Sequence, residues 1–167
     1  MFQSISEFLN QWEHESSSTQ KVLDALTDAS LRQQVSAEGR DLGRIAWHVV
    51  ASLHEMISKT GLLFEGATSE QDAPTSAKKI ADQYRQTNEA MVSAIKEQWN
   101  DQSLKEEHDM FGRQMPNGAS LLLVILHQTH HRGQMTVLMR QAGLKVPGIY
   151  GPSQEEWSAI GMEPPKL

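Results

Sequence analysis

The chain has 167 residues, 38% of them apolar and 22% charged, and its 15 Lys plus Arg against 21 Asp plus Glu give a formal net charge of −6. That length suits one domain over 1–167 with a core large enough to need no staples. The absence of cysteine excludes disulfides, thiolate zinc sites and a cysteine nucleophile. The acidic balance argues against nucleic acid as a partner, since a nucleic-acid clamp needs a concentrated basic face.

The first residues, MFQSISEFLNQWEHESSS, lack a basic and apolar leader, and no apolar run approaches a membrane span. The expectation is a cytoplasmic protein with no membrane association. From Ile5 to Leu26, apolar residues recur at three- and four-residue steps and mark one helical face. Ser4 followed by Glu7 is a capping-box pattern, and Ser16-Ser17-Ser18 lowers helix propensity midway, so a local irregularity is expected there. A second helix follows Asp41, a suitable N-cap, with a stripe of Leu42, Ile45, Val49, Leu53 and Met56 and a stop near Gly61. Leu62–Thr75 reads as a connection.

Ser76 is placed to cap a third helix over Ala77–Trp99. The segment 100–116 reads as a loop containing a short extended piece. Asn117 is placed to cap a fourth helix from Gly118 to Ala142, with Gly143 as its stop. Its aliphatic run Leu121–Leu126 reads as a core-buried start. In the tail, Ser153 with Glu156 predicts a short helix around Trp157. The fold class is therefore all-α: a four-helix bundle with a short extra C-terminal helix. Leu62–Thr75 and Asn100–Pro116 are both long enough to cross a bundle end, so simple up-down-up-down order is not required.

The segment LHQTHHRGQM places three imidazoles on the fourth helix. His127 and His131, four apart, share a face. His130 is the i+3 neighbour of His127, so 127/130 is a second geometric pair, whereas His130 and His131 diverge by about 100°. His48, within the apolar RIAWHVVASL, is either a core histidine bonded to backbone or a third ligand shared with the fourth helix; a buried imidazole costs free energy unless satisfied. Three imidazoles leave a divalent ion at least one open position, as catalytic sites require. His54 points elsewhere on its helix. His14 has no helical partner, and His108 lies in a loop that can fold over the bundle end. Gly133 is unfavourable by about 1 kcal/mol in a helix interior, and a close helix–helix approach would explain it. Arg132 is suited to pair a carboxylate or an anionic cosubstrate, with a surface or interface ion pair favoured, and Gln134 reads as a partner for a histidine's second nitrogen.

HQTHHRGQM together with the upstream IAWHVV resembles the DinB/YfiT-like family, whose pattern is a second-helix histidine followed by H-x-x-x-H-R-G-Q. Here these are His48, His127, His131, Arg132, Gly133 and Gln134, and Arg140, Gly143 and Pro147 match the family's continuation. The resemblance implies a bundle with His48, His127 and His131 as ligands to a divalent metal, nickel or zinc, and His130 outside the set. It also implies a homodimer acting on a small-molecule substrate, as a metal-dependent hydrolase or as an S-transferase using a low-molecular-weight thiol. The chain would have to take that thiol from a free cosubstrate. The alternative is a non-catalytic, dimeric metal-binding interaction protein.

Overall fold

A computed structural model describes residues 2–69 and 72–166. The four predicted helices are present: α1 (Ile5–Asp24), α2 (Leu42–Ser58), α3 (Ala77–Gln98) and α4 (Asn117–Gln141). Their starts follow local chemistry. The Ser4 hydroxyl accepts the Glu7 N–H at 3.1 Å, and the Asp41 carboxylate accepts the Arg44 N–H at 2.7 Å. The Glu7 carboxylate takes the N–H of Gln3 and not that of Ser4, so the predicted box is displaced by one residue. The serine run does not interrupt α1, and Ser16 and Ser18 are buried in its interior.

Two predicted caps differ. Ser76 occupies the N-cap position of α3 without a side-chain bond; Asp28, from the segment between α1 and α2, accepts the Ala77 N–H at 2.7 Å. Asn117 is the first residue of α4 and not its cap. Its amide is buried and donates to the carbonyl of Ser103 at 3.0 Å and of Thr60 at 3.5 Å, tying the start of α4 to the end of α2. The C-terminal stops are as read, with Gly61 and Gly143 at φ +82° and +74°, where a side chain would be strained.

α1 packs on α3 and α4, and α2 packs on the same two helices, so α1 faces α2 across a diagonal. Segment 99–116 crosses the bundle end from α3 to α4, as expected, and its extended piece is a hairpin: β1 (Glu107–Asp109) pairs antiparallel with β2 (Gln114–Pro116). The connection 59–76 does not cross an end. It runs back along the bundle, with Leu63 bonded to Gln98 at the end of α3 and Ala67 bonded to Thr87 in its middle. This return lets α2 and α3 run in the same direction as neighbours.

The core contains Phe8, Trp12, Leu53, Ile57, Ile80, Met91 and Leu121, all essentially inaccessible. The run 121–126 is only partly core: Leu121, Val124 and Ile125 are buried, whereas Leu126 is 56% exposed. A helix turns 100° per residue and cannot bury six consecutive side chains against one face. In the tail, Trp157–Ile160 forms a single 3₁₀ turn. The Glu156 carboxylate accepts the N–H groups of Ser153 and Gly148, but the Ser153 hydroxyl is buried without a partner, so only half of the capping box forms. No helix among the described residues is long and apolar enough to cross a membrane.

Candidate metal centre

His48 lies in the second turn of α2, and His127 and His131 lie one turn apart on the facing side of α4. The Nε2 atom of His127 is 3.2 Å from that of His48 and 3.2 Å from that of His131. One nitrogen from each ring falls within 4.8 Å of the other two, and among the described residues no carboxylate joins the group. Two imidazole nitrogens bound to one ion at 2.0–2.1 Å lie about 2.9 Å apart at a right angle and about 3.3 Å apart at a tetrahedral angle. The two spacings from His127 fit that range. The two pairs that helix spacing allows are thereby separated: His131 faces His127, whereas His130 is exposed, its ring centroid 4.8 Å from that of His131.

The far nitrogens of His131 and His127 are anchored. The Gln134 amide oxygen is 2.7 Å from His131 Nδ1 and can only accept there, so Nδ1 carries the hydrogen and Nε2 a lone pair. The Ser52 hydroxyl donates to the Val49 carbonyl at 3.2 Å and lies 3.4 Å from His127 Nδ1. Its hydrogen being used, it accepts from Nδ1–H and leaves the His127 Nε2 lone pair directed at the group. Burial, reinforced by the neighbouring histidines, lowers the His127 pKa to about 4. Burial also lowers His48, with His131 and Arg40 adding to it, and lowers His131 despite the opposing bond from Gln134. Neutral rings with converging lone pairs are the form that takes a metal.

Gln128, beside His127, fixes α4 against all three other helices. Its amide nitrogen donates to Val49 O at 3.2 Å, and its oxygen lies 3.0 Å from Thr19 Oγ1 and accepts from Tyr84 at 2.9 Å. Arg132, beside His131, forms the ion pair its type suggests, but the pair is buried and not at a surface, which corrects the favoured placement. It donates to the Glu15 carbonyl at 2.8 Å, to Thr19 at 3.0 Å, and to the Glu15 carboxylate and the Tyr150 hydroxyl. Burial alone would raise the Glu15 pKa; the bonds from Arg132 and Tyr150 outweigh it and hold the carboxyl below its usual range. These two buried polar anchors flank the α4 ligand positions and set the helix's rotation and height.

The remaining histidines lie apart from the group. His54 is half-buried, with Nε2 3.1 Å from the Phe64 carbonyl. His108 packs against Gly61 beyond the C-terminal end of α2 and contributes nothing to the centre. His14 is exposed, its ring 6.1 Å from that of Tyr150. Gly133 is exposed, and a methyl group there would meet nothing within 4 Å, so no helix of the described chain approaches it closely. Sequence reasoning missed Ser52, although it is the i+4 neighbour of His48 and so shares its face. It also missed Glu15, Gln128 and Tyr150, which carry no local pattern.

The chain is 53% identical over its whole length, and over the whole of the relative, to YrdA, an uncharacterized protein of Bacillus subtilis strain 168. A crystal structure of a DinB-like protein from Bacillus cereus ATCC 10987 superposes with a TM-score of 0.88 at 54% identity, covering 90% of this chain and all of that one. The DinB-like protein YjoA of Bacillus subtilis shares the fold at a TM-score of 0.67 and 23% identity, over 86% of this chain and 96% of its own. The DinB family model matches residues 1–166. With that match and a full-length relative at 53% identity, the chain belongs to the DinB family.

Proposed function

We propose that this protein is a metal-dependent enzyme whose divalent ion is held by His48, His127 and His131. The observation that carries the reading is the convergence of three imidazole nitrogens, two of them on rings whose second nitrogens are anchored by Gln134 and Ser52. Nickel or zinc suits an all-imidazole donor set, and three protein ligands leave positions free for substrate. When bound, such an ion acts as a Lewis acid and lowers the pKa of water or thiol. The chain's own residues hold the rings neutral, fix their rotation and exclude water on the core side.

The proposed chemistry is hydrolysis or transfer of a low-molecular-weight thiol to an electrophilic small molecule. The chain has no cysteine, so a thiol would enter as cosubstrate. We further propose one domain over 1–167, a cytoplasmic location and a homodimer. Leu126, 56% exposed, and Gly133, which no described residue approaches within 4 Å of an added methyl group, lie on an α4 face that a second copy can use.

The test is metal content and turnover on untagged protein. Expected are about one divalent ion per chain and chelator-sensitive turnover of electrophiles with thiols, or of esters and amides. A full complement of metal with no turnover in either screen would reject the enzyme reading, and absence of bound metal would reject the centre.

A further inference from the structure

Beside the histidines, on the solvent side of the α2–α4 groove, lies a cleft of about 420 Å³. Val35, Ile45, Val137 and Leu138 give it apolar walls, His131 forms part of its lining, and Arg40 supplies the only cationic side chain among its described lining residues. Arg40 comes from the segment that leads into α2. It has no hydrogen bond or ion pair with any other described residue. The adjacent Asp41 is already committed to capping α2. The Arg40 charge acts on all three histidines, which places it within electrostatic reach of the whole centre.

We propose that this cleft is a subsite for an amphipathic organic anion, with Arg40 binding its carboxylate and the Val35–Ile45–Val137–Leu138 wall taking its hydrocarbon part. The assignment deepens the metalloenzyme reading and rests on it for the reaction, because it places such a molecule against His131. Three features support it. The volume lies in the range of small-molecule pockets, which pair apolar walls with a few polar groups. A guanidinium presents a planar fork suited to a carboxylate. On a chain of net charge −6, an unpaired arginine beside neutral imidazoles is a local positive region, which a bound divalent ion would strengthen.

The experiment titrates the full chain, metal-free and zinc-loaded, with sodium octanoate, octylammonium and 1-octanol, reading methyl resonances of Val35, Val137 and Leu138 by NMR. Octanoate is expected to shift these methyls in both forms and to bind at least tenfold more tightly than octylammonium or octanol. Arg40→Gln is expected to weaken octanoate about tenfold, as for loss of a charged hydrogen bond, and Arg40→Lys to retain most of the affinity. Metal content is expected to be unchanged in both variants. Equal octanoate affinity in Arg40→Gln, equal binding of octylammonium, or octanoate binding that appears only with zinc would overturn the proposal. If wild type binds no metal, the functional reading fails, yet the metal-free titration still decides the role of Arg40.

Discussion

The Nε2 atoms of His48 and His127 lie 3.2 Å apart across the α2–α4 interface, although 79 positions separate the residues in the chain. Two neutral imidazoles can share one hydrogen bond at that distance, but the third nitrogen, from His131, is equally close to His127. A cation at the centre satisfies all three lone pairs at once. His48→Ala, His127→Ala and His131→Ala are therefore each expected to lose bound metal, and His130→Ala to keep it. Zinc at a free concentration near 100 times its dissociation constant should stabilise wild type by about 2.7 kcal/mol and leave the three ligand variants unmoved. Metal content by elemental analysis and melting with and without zinc check this; full occupancy in all three variants would remove the ligand assignment.

Gln134 holds His131 by a bond of 2.7 Å from its amide oxygen to Nδ1. Removing such a support typically lowers metal affinity 10–100-fold. Gln134→Ala should therefore weaken zinc binding by about that factor while the fold persists, because Gln134 is exposed. Gln134→Glu, which keeps an acceptor, should restore most of the affinity. A competition titration against a chromophoric chelator reads both, and an unchanged dissociation constant in Gln134→Ala would show that the bond does not orient the ring.

Much of this was legible locally. Helix periodicity, the Ser4 and Asp41 caps and the glycine stops depend on neighbours a few residues away, and these emerge as read. The i, i+4 spacing of His127 and His131 fixes a shared face before any tertiary contact is known. His48 was legible through its apolar surroundings and the family pattern, since nothing local links α2 to α4. For Arg132 the ion pair was legible but its burial was not, because an arginine reads as surface unless its partner is known, and Glu15 lies 117 positions earlier. Asn117 fits a cap by type, but its amide is drawn to carbonyls of two distant segments. The return path of 59–76 likewise depends on contacts with α3 that no periodicity encodes.

The buried Arg132–Glu15 pair predicts a particular pattern of instability. Both side chains are almost wholly inaccessible, and Arg132 also bonds Thr19 and Tyr150. Removing one partner strands the other charge away from water, which costs about 3–5 kcal/mol. Glu15→Leu and Arg132→Met should each destabilise by that order in urea melts. The double variant should cost less than the sum, because neither charge is then left alone. Strict additivity would mean that the pair is not coupled.

The lowered histidine pKa values predict how the metal-free protein responds to acid. His127 titrates near pH 4 in the folded chain and near about 6.5 when unfolded. Between those values the unfolded chain binds a proton that the folded chain does not, so stability rises with pH across the window and is lost as pH falls through it. Urea midpoints of chelator-treated protein should drop from pH 7 to pH 4.5, and His127→Gln should drop less. Equal slopes for the two proteins would show that His127 is not held neutral by its surroundings.

Gly133 distinguishes a lone protomer from an assembly. It sits in the interior of α4, exposed, with space for a methyl group within 4 Å. In a monomer, Gly133→Ala should stabilise by about 0.8–1.0 kcal/mol through helix propensity alone. Leu126 and His130, at i−7 and i−3, are exposed on the same side of the helix. If a second copy packs there with close backbone approach, an added methyl group strains the contact while still favouring the helix. Gly133→Ala should then raise the unfolding midpoint at low protein concentration and weaken self-association in sedimentation velocity. A midpoint that rises with no change in association would place any dimer contact on another face.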